Sequence, residues 1–220
     1  MEETNFVLLW KEQYEKIDQS LVINKQLLKE VISQKAESAL QSLIRFKTRG
    51  IVAAVIYLIL LGIVLFYAIS HYSSSSNYFI LSMGAIFLIN VKALYDYIKH
   101  LVWTNNIDYN GSITEIQQKL TKLQLSILRH SRLMVLQFPF WTTFYLSDKW
   151  FPHSVSWGYI IFQFLLTASF TFLAYWLYKN QTMENANKKW VKTLIEGSGG
   201  KSIIKAIAFY NELETFKQVS

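Results

Sequence analysis

All but one of the 22 Lys and Arg residues fall in three segments that alternate with two apolar hairpins, residues 51–91 and 133–178. Eight precede the first hairpin, six lie between the two (Lys92, Lys99, Lys119, Lys122, Arg129 and Arg132), and seven follow the second. Only Lys149 sits within a hairpin, at its turn. Basic residues stay on the cytoplasmic side during insertion, so this alternation puts all three basic segments there and requires an even number of crossings. The expected fold is all-α: an integral membrane protein with four transmembrane helices in two hairpins plus cytoplasmic amphipathic helices. Both termini are expected in the cytoplasm and the chain in a bacterial inner membrane. The expected units are residues 1–49, 50–98, 99–132, 133–178 and 179–220.

The clearest span is residues 51–69, nineteen residues without a charge, which rise roughly 28 Å against a hydrocarbon core of about 30 Å. Residues 1–50 are polar and charged, so no cleaved leader is expected and the first span acts as its own insertion signal. The turn around Ser73–Ser76 is short and uncharged, as expected for the far side. The second span must run past Val91 through Lys92 and Asp96, one helical turn apart, to reach full length. The third, residues 133–146, has only fourteen uncharged residues and holds Pro139, so a short or kinked helix is expected there. The fourth, residues 155–178, is long and bounded by Trp157, Tyr159, Trp176 and Tyr178.

Composition closes off several chemistries. The chain has no Cys, which excludes disulfides, thiolate metal sites and Cys nucleophiles. The net charge of +7 clusters at span ends, so anionic lipid is its expected partner and nucleic acid is not. The four histidines, His71, His100, His130 and His153, are not read as metal ligands, although His71 and His153 could meet in the outer turns. Gly197–Ser202 ends in Gly-Lys-Ser, but Ile195 stands where a P-loop needs its first Gly, so a hinge between two helices is expected and no nucleotide or other cofactor. Asn90, Lys92, Asp96 and Gln163 are the candidate intramembrane polar residues, with Thr167, Ser169 and Thr171 beside Gln163. No acid lies near the middle of a span, which weighs against a cation-coupled transporter.

The polar segments carry their own pattern. Ser112 and Glu115 form a capping box, and Ile113, Ile116, Leu120, Leu123 and Ile127 then make one apolar stripe. Trp10, Tyr14, Ile17, Leu21, Asn24, Leu28 and Val31 make a second at heptad spacing, with Asn24 as a register-setting polar position. Ala36, Ala39, Leu40 and Leu43 continue it, and Ile203, Ile207, Tyr210, Leu213 and Phe216 form a third. Trp10, Ile17, Leu21, Leu28, Ile116, Leu120 and Leu123 are the candidate helix-interaction residues. Ser42–Arg45 and Ser126–Arg129 occupy equivalent places before the first and third spans, but a match of four residues can arise by chance and leaves open whether the two hairpins are duplicated.

Residues 10–31, from Trp10-Lys11-Glu12-Gln13-Tyr14 to Leu28-Lys29-Glu30-Val31, resemble a family of uncharacterised bacterial four-span membrane proteins often encoded beside extracytoplasmic-function sigma factors. The resemblance extends through the capping-box helix and Pro139-Phe140-Trp141 to the C-terminal helix, and implies a regulatory partnership. With no acid, base, nucleophile or metal cluster in view, the chain is read as non-enzymatic: a membrane-anchored interaction or regulatory protein. Its partners would be the bilayer and a second copy or a cytoplasmic protein. A small oligomeric channel or transporter is the alternative, and an integral-membrane enzyme ranks third.

Overall fold

The first 70 residues contain no proline, and Gly50 and Gly62 are their only glycines. Nothing in the sequence stops a helix that starts in the polar segment, and in the computed structural model α1, Glu2–Ser70, is a single helix of 69 residues. At 1.5 Å per residue it is roughly 100 Å long. The structure describes the backbone of residues 2–109, 111–186 and 188–219, and side chains for 13–24, 26–109, 111–186 and 188–211. After a tight turn and a 3-10 turn at Ser74–Ser76, α2 (Asn77–Asn105) returns along α1. The helix α3 (Ile113–Met134) begins where the capping box predicts: the Glu115 amide donates to the Ser112 hydroxyl at 3.2 Å. Then come α4 (Trp157–Asn180), α5 (Lys189–Gly197) and α6 (Gly200–Val219), and no strand occurs among the described residues.

Three helical stretches are long and apolar enough to cross a membrane: Gln13–Ser70 within α1, Ser74–Asn105 and Trp157–Asn180. The fourth expected span is different. Residues 133–146 contain no transmembrane α-helix; α3 stops at Met134 and is followed by two short 3-10 helices, Val135–Gln137 and Pro139–Thr142. The cause is Pro139. In an α-helix its ring would collide with the carbonyl of Val135, and it has no N–H to offer, so the helix ends just before that point and Pro139 takes the first position of the next short helix.

This irregular stretch still runs the length of α2, in the opposite direction. Asn77 meets Asp148 at 2.8 Å, Ser82 meets Thr143 at 2.8 Å, Asn90 meets Gln137 at 3.4 Å and Asp96 meets His130 at 3.6 Å. The positions from Asn77 to Asp96 rise about 28 Å. A 3-10 helix gains about 2.0 Å per residue, more than an α-helix, so a short segment covers that depth. It lies between α2 and α4, packed against both.

Beyond the apolar part, α1, α3, α5 and α6 build a separate head with its own core. Ile32, Ala36, Leu40 and Leu43 of α1 meet Ile116, Leu120, Leu123 and Ile127 of α3, Val191 and Ile195 of α5, and Ile203, Ala206 and Tyr210 of α6. None is more than 5% exposed. Each such aliphatic side chain contributes roughly 1.5–3 kcal/mol on burial. α6 lies antiparallel to α1, with Gly199 against Leu43 and Phe46 and the Tyr210 hydroxyl 3.5 Å from Ser33. Among the described residues, the apolar side of α6 formed by Ile203, Ala206 and Tyr210 is therefore occupied by its own chain. Gly199 has φ of 91°, a left-handed conformation that turns the chain sharply between α5 and α6.

Candidate functional site

Where the head joins the apolar part, three apolar stripes each continue onto a polar residue. On α1 the line Ile32, Ala36, Leu40, Leu43 arrives at Lys47; on α3 the line Ile116, Leu120, Leu123, Ile127 arrives at His130; on α2, Ala93, Asp96, His100 and Thr104 share one face. Lys47 and His100 are fully buried, His130 is 3% exposed and Asp96 5%. Four polar groups are thus sealed inside one junction.

Tyr97 is its centre. A side chain at Gly50 would collide with the Tyr97 ring, so the missing Cβ lets α1 and α2 approach here. One turn earlier, the Lys47 ammonium sits 3.9 Å from the centroid of that ring and donates to the Ser198 carbonyl at 2.8 Å. The cation is held by an aromatic face and a carbonyl, without a carboxylate in contact. The His130 ring packs 4.9 Å from Tyr97 and 6.0 Å from His100, and His100 Nε2 shares a 2.9 Å hydrogen bond with the Ser126 hydroxyl. Asp96 pairs with Lys92 and lies 3.8 Å from the Lys99 ammonium. Its other oxygen is 3.6 Å from His130 Nδ1, too far for a hydrogen bond.

Burial pushes His130 down to about 4, the Lys47 charge pushes the same way, and Asp96 opposes them without prevailing. His130 is accordingly a neutral imidazole at neutral pH. Ser126 and His100 resemble a nucleophile and its base, but His100 Nδ1 has no hydrogen-bond partner to orient the ring, and both residues are buried. Among the described residues no three metal-ligating side chains converge. The arrangement ties α1, α2, α3 and the turn between α5 and α6 together at one level.

The remaining candidates pack against the irregular segment around Pro139. Gln163 of α4, 2% exposed, donates to the Thr142 carbonyl at 2.6 Å and to Thr167 at 3.2 Å, and accepts from the Tyr145 hydroxyl at 2.8 Å. Thr142 also bonds Thr167 at 3.0 Å, and Asn90 donates to the Ile86 carbonyl at 2.8 Å. Non-helical backbone at membrane depth needs such partners, because neither the lipid nor the next turn of helix supplies them. At the far end, Arg132 donates to the Tyr178 carbonyl at 2.8 Å and covers its ring.

The structure therefore brings Lys92 and Asp96 together and places Asn90 of α2 and Gln163 of α4 against the irregular segment. Ile116, Leu120 and Leu123 lie in the head core, with Leu28 packed at its edge. Ile17 and Leu21 are not covered, at 58% and 46% exposed. The Trp10 side chain lies outside the described residues, as do those of Leu213 and Phe216. His71 stacks on Tyr67 and His153 is exposed. Lys47, His100, His130 and Tyr97 were missed by the sequence reading, although the signal was present: each stripe simply continues onto them, and Asp96 and His100 are four apart. No family model, characterised protein or solved structure matches the chain.

Proposed function

We propose that the chain is a non-enzymatic, membrane-anchored interaction or regulatory protein that works as a dimer through the free arm of α1. One observation carries this reading. The single helix that supplies the first apolar span also builds the head and then continues beyond it, with Tyr14, Ile17, Leu21 and Val31 uncovered. These four, with Asn24 and Leu28, keep heptad spacing, the pattern by which two identical helices bury a shared seam, and a polar residue inside it fixes the register. A second copy is the occupant that this spacing fits.

In this reading the bilayer covers the apolar belt, where Phe66, Leu81, Phe164 and Phe172 are each about 70% exposed. The chain crosses four times, three times as a helix and once as the Pro139 segment, with both termini in the cytoplasm of the inner membrane. The head would then present the arm to a cytoplasmic partner, of which a sigma factor is the example that the family resemblance implies. A small channel or transporter is less well supported, since Asn90 and Gln163 are engaged within the chain.

The natural absence of Cys makes the test direct. Cys placed at Leu21 or Leu28 should give an oxidised dimer in membranes, and Cys at Gln19 or Gln26, on the opposite side, should not. Equal crosslinking on both sides, or none, refutes the seam, and capture of a different protein at Leu21 replaces the second copy with that partner. Cys at Ser75 and Ser154 should react with an impermeant thiol reagent in whole cells, whereas labelling at Ser220 would overturn the topology.

A further inference from the structure

A groove of roughly 800 Å³ runs between α1 and α6 on the outside of the head, lined by Lys35, Ser38, Ala39, Ser42 and Arg45 on one wall and Lys201, Ser202, Lys205 and Phe209 on the other. Its polar lining consists of four cations and three hydroxyls, with no carboxylate. None of the four cations forms an ion pair among the described residues. Carboxylates are close by in sequence, but Glu37 is directed to the side of Tyr109 and Tyr210. Unopposed positive charge held on two rigid walls raises the local potential and attracts anions.

The antiparallel packing orders these groups. Because Gly199 lies beside Leu43 and Phe46, and Tyr210 beside Ser33, Arg45 and Ser42 face the start of α6 with Lys201 and Ser202, while Lys35 and Ser38 lie toward Lys205 and Phe209. Cations and hydroxyls therefore recur at both ends, over about 15 Å of α1 between Lys35 and Arg45. Topogenic charge accounts for Lys35 and Arg45, which lie close before the first apolar span, but not for the cations of the other wall. Lys201 and Lys205 are more than 20 residues past α4, which ends at Asn180, and the positive-inside effect is counted within about 15–20 residues of a span.

We propose that this groove binds a small anion carrying more than one phosphoryl group, with Arg45, Lys201 and Lys205 as the charge-bearing ligands and Ser42 and Ser202 donating hydrogen bonds to phosphoryl oxygens. Arginine and lysine beside hydroxyls give charge-assisted bonds to such oxygens, and spacing along the groove selects a polyanion over a single charge. The phosphoryl groups have two sources, a soluble oligophosphate or the headgroup of an anionic lipid. Arg45 is only about 9 Å along α1 from the first residue of the apolar span, within reach of headgroups. The soluble source does not depend on the membrane reading above; only the lipid source does.

The test uses full-length protein in two kinds of nanodisc, phosphatidylcholine alone and phosphatidylcholine with a minor fraction of cardiolipin, whose headgroup carries two phosphoryl groups. Tripolyphosphate is titrated calorimetrically into the first, and retained cardiolipin is counted by native mass spectrometry from the second. Lys201→Gln with Lys205→Gln alters two exposed side chains of α6, and Arg45→Gln alters the other wall. Lys189→Gln with Lys192→Gln removes the same charge from exposed positions on α5 outside the groove. Binding of either probe should fall roughly tenfold or more in both groove variants, and stay within about twofold of wild type in the α5 variant. Tripolyphosphate binding alone assigns a soluble ligand, cardiolipin alone a lipid, and both the shared chemistry. Failure of both probes on the wild type, or equal losses in groove and α5 variants, overturns the proposal.

Discussion

Replacing Gln163 by Leu tests whether the Pro139 segment is held by side chains from its neighbours. Leucine fills nearly the same volume, so the change isolates hydrogen bonding from cavity formation. Three bonds are lost, at 2.6, 3.2 and 2.8 Å. Thr167 keeps its 3.0 Å bond to Thr142, and Tyr145, 43% exposed, can turn to another partner. The Thr142 carbonyl cannot. It belongs to a residue 6% exposed in irregular backbone, and a buried carbonyl left unpaired costs about 1–3 kcal/mol. The other two bonds contribute about 0.6 kcal/mol each, the average for such bonds in membrane proteins. A loss of about 2–4 kcal/mol is expected, measured by steric trapping of the full-length protein in bicelles. Tyr145→Phe alone should cost no more than about 1 kcal/mol and, combined with Gln163→Leu, add less than its own single effect. A Gln163→Leu variant within about 0.5 kcal/mol of wild type refutes the idea that this side chain supports the crossing.

Asp96→Asn should destabilise the junction, because it removes the ion pair with Lys92 and the carboxylate charge that opposes the effect of burial on Lys47; burial already pushes that amine down to about 7, so adding Lys47→Met should recover only the part of the loss that Lys47 carries, and additive effects in steric trapping would show that the two are uncoupled. Leu120→Asp buries an uncompensated charge in the head core and should cost more than 4 kcal/mol, while Leu28→Asp at the core's edge should cost less than half as much; equal protease resistance in both would show that the head is not packed as described. His130 has its folded pKa depressed to about 4 against an ordinary 6.5, so the stability it contributes is present above pH 6.5 and is lost as pH falls toward 4, by an amount on the order of 3 kcal/mol. His130→Gln should reduce the slope of that acid limb in unfolding curves measured across this range, while His100, which burial also pushes down, keeps part of it; an unchanged slope would place the titration elsewhere.

The apolar spans and the amphipathic stripes were legible because their signals are local: hydropathy over about twenty residues, or spacing of three and four, depends on no partner. The capping box at Ser112 is equally local, and it marks the start of α3 correctly. Pro139 was legible as a disturbance but not as a replacement of helix by 3-10 turns. That outcome depends on Gln163 arriving from α4 to satisfy the Thr142 carbonyl, and on Thr167, Ser82 and Asn90 arriving to bond the side chains of Thr142, Thr143 and Gln137; no window around residue 139 contains them. The boundary expected near residue 49 is one of composition, and α1 runs through it unbroken. A change from polar to apolar composition looks like a boundary, yet without Pro or a turn signal the backbone has no cause to leave the helix. The junction was hidden because its members come from α1, α2, α3 and the α5–α6 turn, and because a Lys at the end of a stripe reads as the edge of a buried face rather than as part of it.

That Lys also addresses a weakness of the stripe itself. Ile32, Ala36, Leu40 and Leu43 repeat every three or four residues, and Leu28 extends the same line, so a slide of α1 by one turn would present another apolar set to α3 and α6 with little loss of burial. Hydrophobic packing alone leaves the register of a 69-residue helix weakly defined. A slide would, however, withdraw the Lys47 ammonium from the Ser198 carbonyl and the Tyr97 ring, leaving a buried cation unsatisfied, and would bring a residue with a Cβ to where Gly50 now meets Tyr97. An apolar residue at position 47 would satisfy burial at lower cost, but it would not distinguish the correct register from the slipped one. The buried Lys therefore contributes uniqueness more than stability. Because α1 is unbroken, fixing it at this one level also fixes how far the arm projects and which way its heptad seam faces.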